Sequence, residues 1–599
     1  MRRLVILCTF IAALGLLLAL APAALAASPT PSPASGEVIY RIGTTQDYDG
    51  FNPFSAWSGI TWDSFRISYD FLTWYDENFE PTPDLATEWS TSDDGKVWTF
   101  TIREGMTWHD GEPLTASDIA FTYNWILRTE HWAYIQYLTG VTKVEAPDAT
   151  TLVITCDKPN AGMLALYIPI LPEHIWKDVP DAEMETYKNV PIIGSGPFQV
   201  VEVKKSDYVK LVPNPDYPGE LGGPPKIDAL YYVITQNMDS TVQDYKAGNL
   251  DAIVDWPASY YEDLKSTSGG TAAKAPAIGF HELGFNCWDD KASKGNPLLR
   301  DPVIRTAIHW AIDKQAIVDA AMNGLAIPGE GLISPVQGVW NWSVPEDQRY
   351  SYDPEKAKQL LEDAGYSDSD GDGVRENAKG DKLEFRFVVL NEYPEDQAAG
   401  KKIVSWCDDV GIKLKLDPMD EGPFGDDVYD NANYDVFIWS WGGDIDPGFM
   451  LSTFTTEQIL NWGDSQYSNP EYDDLYTQQA QAVDPEKPED PTARKAITDE
   501  MQAILYRDNP YVILWYNLNL QAWRTDKWTG YHLVPPDGGG APFWNMLRTT
   551  YQDLEPISAE EADEGGTAAW VWIVIIAAVV VVAVVVVWLM RRPKQVEVE

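Results

Sequence analysis

Apolar and polar positions change rhythm repeatedly along this chain, and each change marks an element. Residues 97–102 alternate with the two-residue period of a half-buried strand, His109-Asp110-Gly111 supplies turn chemistry, and Thr115-Ala116-Ser117-Asp118 has capping-box spacing ahead of an apolar helix. Asp301-Pro302 offers an N-cap and a first-turn proline, Ile304, Ile308, Ala311 and Ile312 share one face, and Gly324 can close the turn, so one helix is predicted over 301–324. Asp353-Pro354 and Gly365 bracket a second helix in the same way. Residues 383–390, 412–416 and 434–441 read as strands. Helices alternating with strands predict an α/β fold of open sheets covered on both faces, with ligands at the carboxyl ends of strands.

The ends follow a different rule. Arg2 and Arg3 precede an apolar run over 4–20, and Ala24-Leu25-Ala26 offers small residues for cleavage, so 1–26 reads as a signal peptide. Residues 27–36 form a Pro/Ser linker, and 551–567 an acidic spacer. No charge occurs over 565–590, and about 20 apolar residues suffice to cross a bilayer, so a transmembrane helix is predicted at 568–590. Trp570, Trp572 and Trp588 lie near its ends, and Arg591, Arg592 and Lys594 begin a tail, 591–599, that the positive-inside rule places in the cytoplasm. The expected localisation is the cell membrane, single-pass, with the body extracellular. Cys8 lies within the first apolar run, so it offers no lipid anchor.

Charge narrows the partners. The chain has 91 acidic and 44 basic side chains and a net charge of −47. Such a surface repels polyanions, so no nucleic acid partner is expected. Cys156, Cys287 and Cys407 are widely spaced and lack zinc-like spacing. Between linker and spacer the body is too long for one hydrophobic core.

Several segments carry a resemblance. WTFTIREGMTWHDGEPLTASDIAFTY (98–123), IIGSGPFQVVEV (192–203), NPDYPG (214–219), DPVIRTAIHWAIDKQAIVDAAMNG (301–324) and YDPEKAKQLLEDAGY (352–366) resemble, in order, the landmarks of the peptide/nickel-type (family 5, cluster C) extracellular solute-binding proteins of ABC importers. The resemblance implies a two-lobe type II periplasmic-binding-protein fold that closes on solute. Lobe one would hold 37–75, 195–280 and 515–550, an inserted subdomain 76–194, and lobe two 281–514. It also implies a monomer that delivers solute to a separate permease and its ATPase. The chain itself has no phosphate-binding loop of the required form.

Candidate chemistry follows from the strand at 434–441. It runs into Gly442-Gly443-Asp444-Ile445-Asp446-Pro447, which leaves a carboxylate at a strand end beside an indole. In peptide-binding members of the family a Trp-x-x-Asp here holds the peptide amino terminus, and Trp441 and Asp444 match it. A buried carboxylate needs a cation, and an α-ammonium brings charge and three donors. Trp439 and Asp446 flank the pair, while Phe285, Asn286 and Trp288, near the first expected crossing, and Tyr516, near the second, complete the candidate pocket.

Two other readings stay open. Twenty-five tryptophans could stack on sugar rings, so Trp57, Trp288, Trp439 and Trp441 also suit a β-linked oligosaccharide. A tethered secreted hydrolase is the distant alternative, but no His-Glu-x-x-His is present, Gly194-Ser195-Gly196 is not a nucleophile elbow, and Cys407 has no base near it in sequence. The six histidines are scattered, which argues against nickel. The chain is expected not to be an enzyme and to need no cofactor, apart from a structural Ca2+ at 368–379. There Asp368, Asp370 and Asp372 take the first, third and fifth places of an EF-hand-like loop, Gly373 the sixth, Val374 the seventh and Glu376 the ninth. The twelfth is Lys379, so the closing ligand is missing unless Asp381 reaches back. A solvated turn is the alternative.

Overall fold

The structure, a computed structural model, describes residues 36–557 except 57, 537–538 and 544–546. The signal peptide, nearly all of the linker, the transmembrane helix, the tail and Trp57 therefore lie outside the described residues. Among the described residues no helix is long and apolar enough to cross a membrane.

The chain folds as two α/β lobes strung on one eleven-stranded sheet. Ala252–Val254, Ile39–Thr44, Ala229–Ile234, Tyr208–Pro213 and Phe198–Lys204 form one side, and Val436–Trp441, Glu384–Leu390 and Lys413–Met419 the other. Two long antiparallel strands, Gly270–Phe285 and Tyr511–Arg524, lie between and belong to both, and the short strand Ile327–Pro328 pairs with the second of them as the eleventh. Their ladder runs from Gly270↔Arg524 to Pro276↔Leu518, breaks, and resumes from Phe280↔Tyr516 to Gly284↔Tyr511. Pro276 has no N–H to donate, and a bulge is where a sheet bends most easily. The halves of the sheet thus meet at residues 277–279.

Burial on both faces explains the apolar runs. Along the second crossing strand Tyr511 and Ile513 enter the core beneath helices Pro470–Gln481 and Thr492–Asp508. Val512 and Leu514 enter the opposite core with Ile304, Ile308, Leu361 and Ile403. A separate antiparallel sheet of Ala86–Thr91, Val97–Ile102, Thr151–Cys156 and Val141–Glu145 packs with helix Ala116–Thr129 within the core that also holds Ile42 and Tyr232 of lobe one. That helix starts as its sequence predicts: Asp118 accepts from the Thr115 N–H at 2.9 Å, and the Thr115 hydroxyl accepts from Ser117 N–H at 3.3 Å.

The helix predicted over 301–324 is two helices, Pro302–Ala311 and Lys314–Ala321. Ile312 is extended, and Asp313 accepts from the Ala316 N–H at 2.9 Å. An aspartate that caps a new start competes with continuation of the old helix, and the break keeps Ile312 and Ile317 in one core. Cys156, Cys287 and Cys407 are free thiols.

Candidate ligand-binding cleft

Strand Val436–Trp441 ends against the first crossing strand, and Gly442 and Gly443 carry the chain on to Asp444. Only Gly443 is sterically required there: a Cβ would stand 2.2 Å from Ile278 Cγ2, whereas one on Gly442 would meet open space. Gly443→Ala is expected to cost about 1–3 kcal/mol through overpacking against a stiff β-branched neighbour. Urea unfolding should show most of the loss restored in Gly443→Ala/Ile278→Ala; an equal loss in both variants would put the cause elsewhere.

The Asp444 loop is gripped by Tyr137 and Tyr167 from the subdomain side of the cleft and by Gln337 from its own lobe. Tyr137 OH donates to Asp444 Oδ2 at 2.8 Å, Ile445 N–H donates to Tyr167 OH at 3.0 Å, and Gln337 Nε2 donates to the Asp444 carbonyl at 3.0 Å. Tyr167 in turn stacks on Tyr75, centroids 5.8 Å apart. Burial pushes the Asp444 carboxyl up to about 6, with the Tyr137 hydroxyl opposing, Asp446 adding, and Arg66 opposing weakly from farther off. Among the described residues no ion pair reaches Asp444.

Two residues on, the electrostatics are opposite. Arg494 Nη1 and Nη2 fork onto Asp446 Oδ2 and Oδ1 at 2.5 and 3.0 Å, and the guanidinium lies 4.9 Å over the Trp340 ring. Asp446 Oδ1 also accepts from Gly448 N–H at 2.8 Å. One carboxylate of the pair already has its cation; the other does not.

Trp441 stands one layer behind. Its indole N–H donates to Asp464 Oδ2 at 2.8 Å and lies 3.3 Å from Glu282 Oε1. Glu282 and Asp464 are both buried beneath the indole, and burial together with the Asp464 charge pushes the Glu282 carboxyl well above the usual range. Around Trp441 the rings of Phe449 and Trp462 pack edge-on or tilted, both with centroids 6.4 Å away.

The cavity beside Asp444 is about 440 Å3 and is lined from one side by Tyr137, Asn160 and Tyr167 and from the other by Asp446, Phe449 and Tyr476. A second cavity of about 460 Å3 contains Tyr75, Leu164 and Trp340, and Ala165, Asp446 and Arg494 line both. The Asp446–Arg494 pair is therefore a shared wall between two compartments.

Of the residues singled out by sequence, Asp444 and Asp446 line this space. Trp439 is half-buried and stacks on Phe424 at 5.0 Å. Phe285 is wholly inside the lobe-two core. Asn286 spends its amide on the Ala432 and Tyr434 carbonyls, at 3.1 and 3.0 Å, which fastens the chain after the first crossing. Trp288 is half-buried beside it, its N–H on Asn286 Oδ1 at 3.2 Å. Tyr516 is buried, its hydroxyl donating to the Gly331 carbonyl at 2.6 Å and accepting from Glu330 N–H at 3.2 Å. None of these five appears in the lining of either cavity. Tyr137, Tyr167, Gln337 and Arg494 were not among the sequence candidates. Tyr137 stands 307 residues before Asp444, Tyr167 278 before Ile445, Gln337 107 before Asp444, and Arg494 48 after Asp446. No local pattern distinguishes them.

The model for bacterial extracellular solute-binding proteins, family 5, matches residues 80–462. The chain is 26% identical over 514 residues to the oligopeptide-binding protein AppA of Bacillus subtilis, covering 82% of this chain and 89% of that one. It is 26% identical over 499 residues to the dipeptide-binding protein of Escherichia coli, covering 78% and 87%. Its fold superposes on AppA solved with a nonapeptide (TM-score 0.69, 23% identity, 87% of this chain and 99% of that one) and on NikZ from Campylobacter jejuni solved with Ni(L-His) (TM-score 0.68, 23% identity, 86% and 99%). One fold thus serves ligands as unlike as a nonapeptide and a metal chelate, and the residues of the cleft must decide between them. With the two lobes, the paired crossings and a family match over most of its body, this chain belongs to the bacterial extracellular solute-binding proteins of family 5.

Proposed function

We propose that the protein captures peptides in the cleft between its lobes and hands them, chemically unchanged, to the permease of an ABC importer whose ATPase is a separate chain. The observation that carries this reading is the contrast between two neighbouring carboxylates: Asp446 is neutralised by Arg494, while Asp444 meets only a tyrosine hydroxyl. A peptide α-ammonium supplies the missing cation, and main-chain hydrogen bonding gives affinity without demanding particular side chains. The second compartment, beyond the Asp446–Arg494 wall, gives room for the further residues of a longer peptide. The names of the relatives, oligopeptide-binding and dipeptide-binding, support the same class. In this reading the body stands outside the cell on the predicted C-terminal helix, which lies outside the described residues.

The reading has a pH signature. An ammonium needs the ionised form of Asp444, and in the free cleft that carboxyl titrates near about 6, raised from 3.8. Between these values peptide must displace a proton, so affinity is expected to fall as pH drops through 6, by up to about tenfold per unit, and to level off above pH 7. Calorimetry of a short peptide mixture from pH 4.5 to 8, in buffers of different ionisation enthalpy, would count the released proton. A flat profile, or one unchanged in Asp444→Asn, would defeat the ammonium assignment. Heat from β-linked oligosaccharides with none from peptides would favour the aromatic walls over the carboxylate as the recognition element.

A further inference from the structure

We infer that residues 368–376 bind a calcium ion, which clamps the connection between helix Pro354–Asp363 and strand Glu384–Leu390 on the outer side of lobe two. One carboxylate oxygen each from Asp368, Asp370 and Glu376 lies within 4.8 Å of the others. Exposed acids crowd often enough without a metal, so this proximity alone would carry nothing. Glu376 is what separates the loop from such a crowd. Its residue is 6% exposed, its Oε1 accepts from the Ser369 N–H at 2.8 Å and from the Ser369 hydroxyl, and its Oε2 has no hydrogen-bond partner. A buried carboxylate oxygen without a donor is expensive, and a cation shared with its acidic neighbours removes that cost.

The backbone is already set for it. Gly371 and Gly373 take positive φ of 80° and 88°, and the Gly371, Asp372 and Gly373 N–H groups donate to the Asp368 carboxylate at 2.7–3.1 Å. Glu376 pairs with Ser367 on one side and Lys382 on the other, so the loop is closed at its base. Carboxylates at alternate positions and a main-chain carbonyl at Val374 are hard oxygen donors, the set that calcium prefers. Asp381 does not supply the missing twelfth ligand, for it is not among the carboxylates that converge, and its Oδ2 accepts from the Asn377 amide at 2.9 Å. A site short of its bidentate closing ligand belongs to the weak end of the calcium range, about 10⁻⁵–10⁻³ M.

The competing cation is Lys382. Its ammonium bridges Asp370 Oδ2 and Asp372 Oδ2 at 2.8 and 2.5 Å. It neutralises one charge of the four and leaves Glu376 Oε2 without a partner. A divalent ion at Asp368, Asp370 and Glu376 would have to loosen that bridge, which gives the proposal a test with opposed outcomes.

The full chain, stripped with EDTA, should take up one equivalent of Ca2+ in calorimetry, and at 100 times Kd its Tm should rise by about 2–3 °C. Glu376→Gln and Asp370→Asn should each lose at least tenfold in calcium affinity while keeping the far-UV dichroism of the parent. Asp370 is exposed, so its variant tests the site even if the Glu376 variant folds poorly. Lys382→Gln should bind calcium more tightly than the parent. No heat and no Tm shift at 10 mM Ca2+ would overturn the proposal. So would a calcium response that survives in Asp370→Asn, or a Lys382→Gln variant whose lost stability calcium does not restore.

Discussion

Replacing Asp444 by alanine is expected to weaken peptide binding by about 2–5 kcal/mol, between roughly 30-fold and 4,000-fold in Kd. The size follows from where the carboxylate sits. A surface ion pair would contribute under about 1 kcal/mol, because water screens it. Asp444 is instead enclosed by Tyr137, Tyr167 and the shared wall of two cavities, and burial has already raised its carboxyl to about 6. Loss of the Asp444 carboxylate, which no ion pair among the described residues engages, would leave the ammonium beside a phenol. Asp444→Asn keeps the shape and the tyrosine contact, so it should lose most of the affinity as well; a large loss in Ala with little in Asn would point to packing. Stability should not fall with affinity, since neutralising a half-buried acid that lacks a cation removes a desolvation penalty. Calorimetry with unchanged Kd in both variants would end the role given to Asp444.

The largest stability effect is expected at Arg548. Its guanidinium is buried and joins Asp70 through Nη1 and Asp84 through Nη2, with Tyr217 OH also on Nη1 at 2.7 Å. Burial opposes the charge on Arg548, but Asp84, Tyr217 and Asp70 hold it ionised. Asp84 is pushed up to about 6 by its own burial, with Arg548 pulling the other way. Arg548→Ala removes the one cation that two buried carboxylates share. The cost should be about 3–5 kcal/mol, because a buried pair broken on one side leaves uncompensated charge. Arg548→Met should cost the same or little less, while Arg548→Met/Asp70→Asn/Asp84→Asn should regain much of it. Urea unfolding in which Arg548→Ala lies within 1 kcal/mol of the parent would show that water or protonation satisfies the acids. The residue also fastens the segment after the second crossing onto lobe one, so its loss should release the chain before residue 557 to proteolysis.

Some of the site was readable without coordinates, and the reason is specific. The position of Asp444 follows from a strand pattern, two glycines and a spacing from Trp441, all within eleven residues. That Asp444 and Asp446 differ in electrostatic state does not follow from the sequence, since both are aspartates two residues apart in one loop. Arg494 tells them apart, and it arrives from a helix that begins at Thr492. Phe285, Asn286 and Tyr516 were drawn into the candidate pocket because they stand beside the crossings. Their burial depends on which face of the sheet each side chain takes, and a bulge between His281 and Glu282 shifts that register. The split at Ile312 and Asp313 differs in kind: the apolar stripe reads as continuous, and the Asp313 side chain, accepting from the Ala316 N–H, starts a new helix there.

By itself the sequence determined what lies within one turn or one strand of a residue: the Thr115–Asp118 cap, the Asp353 start, the buried strands, the acidic metal-like loop and the ordered landmarks of the family. These depend on contacts between near neighbours, whose geometry is nearly the same in any fold. The tertiary structure alone decided which carboxylate keeps its charge free for a ligand, which aromatic rings face the cleft and which are filler, and where Arg548 finds its two acids. Those outcomes rest on pairs up to 478 residues apart, brought together by sheet order and lobe packing, for which no local pattern of hydrophobic and polar residues carries a signal.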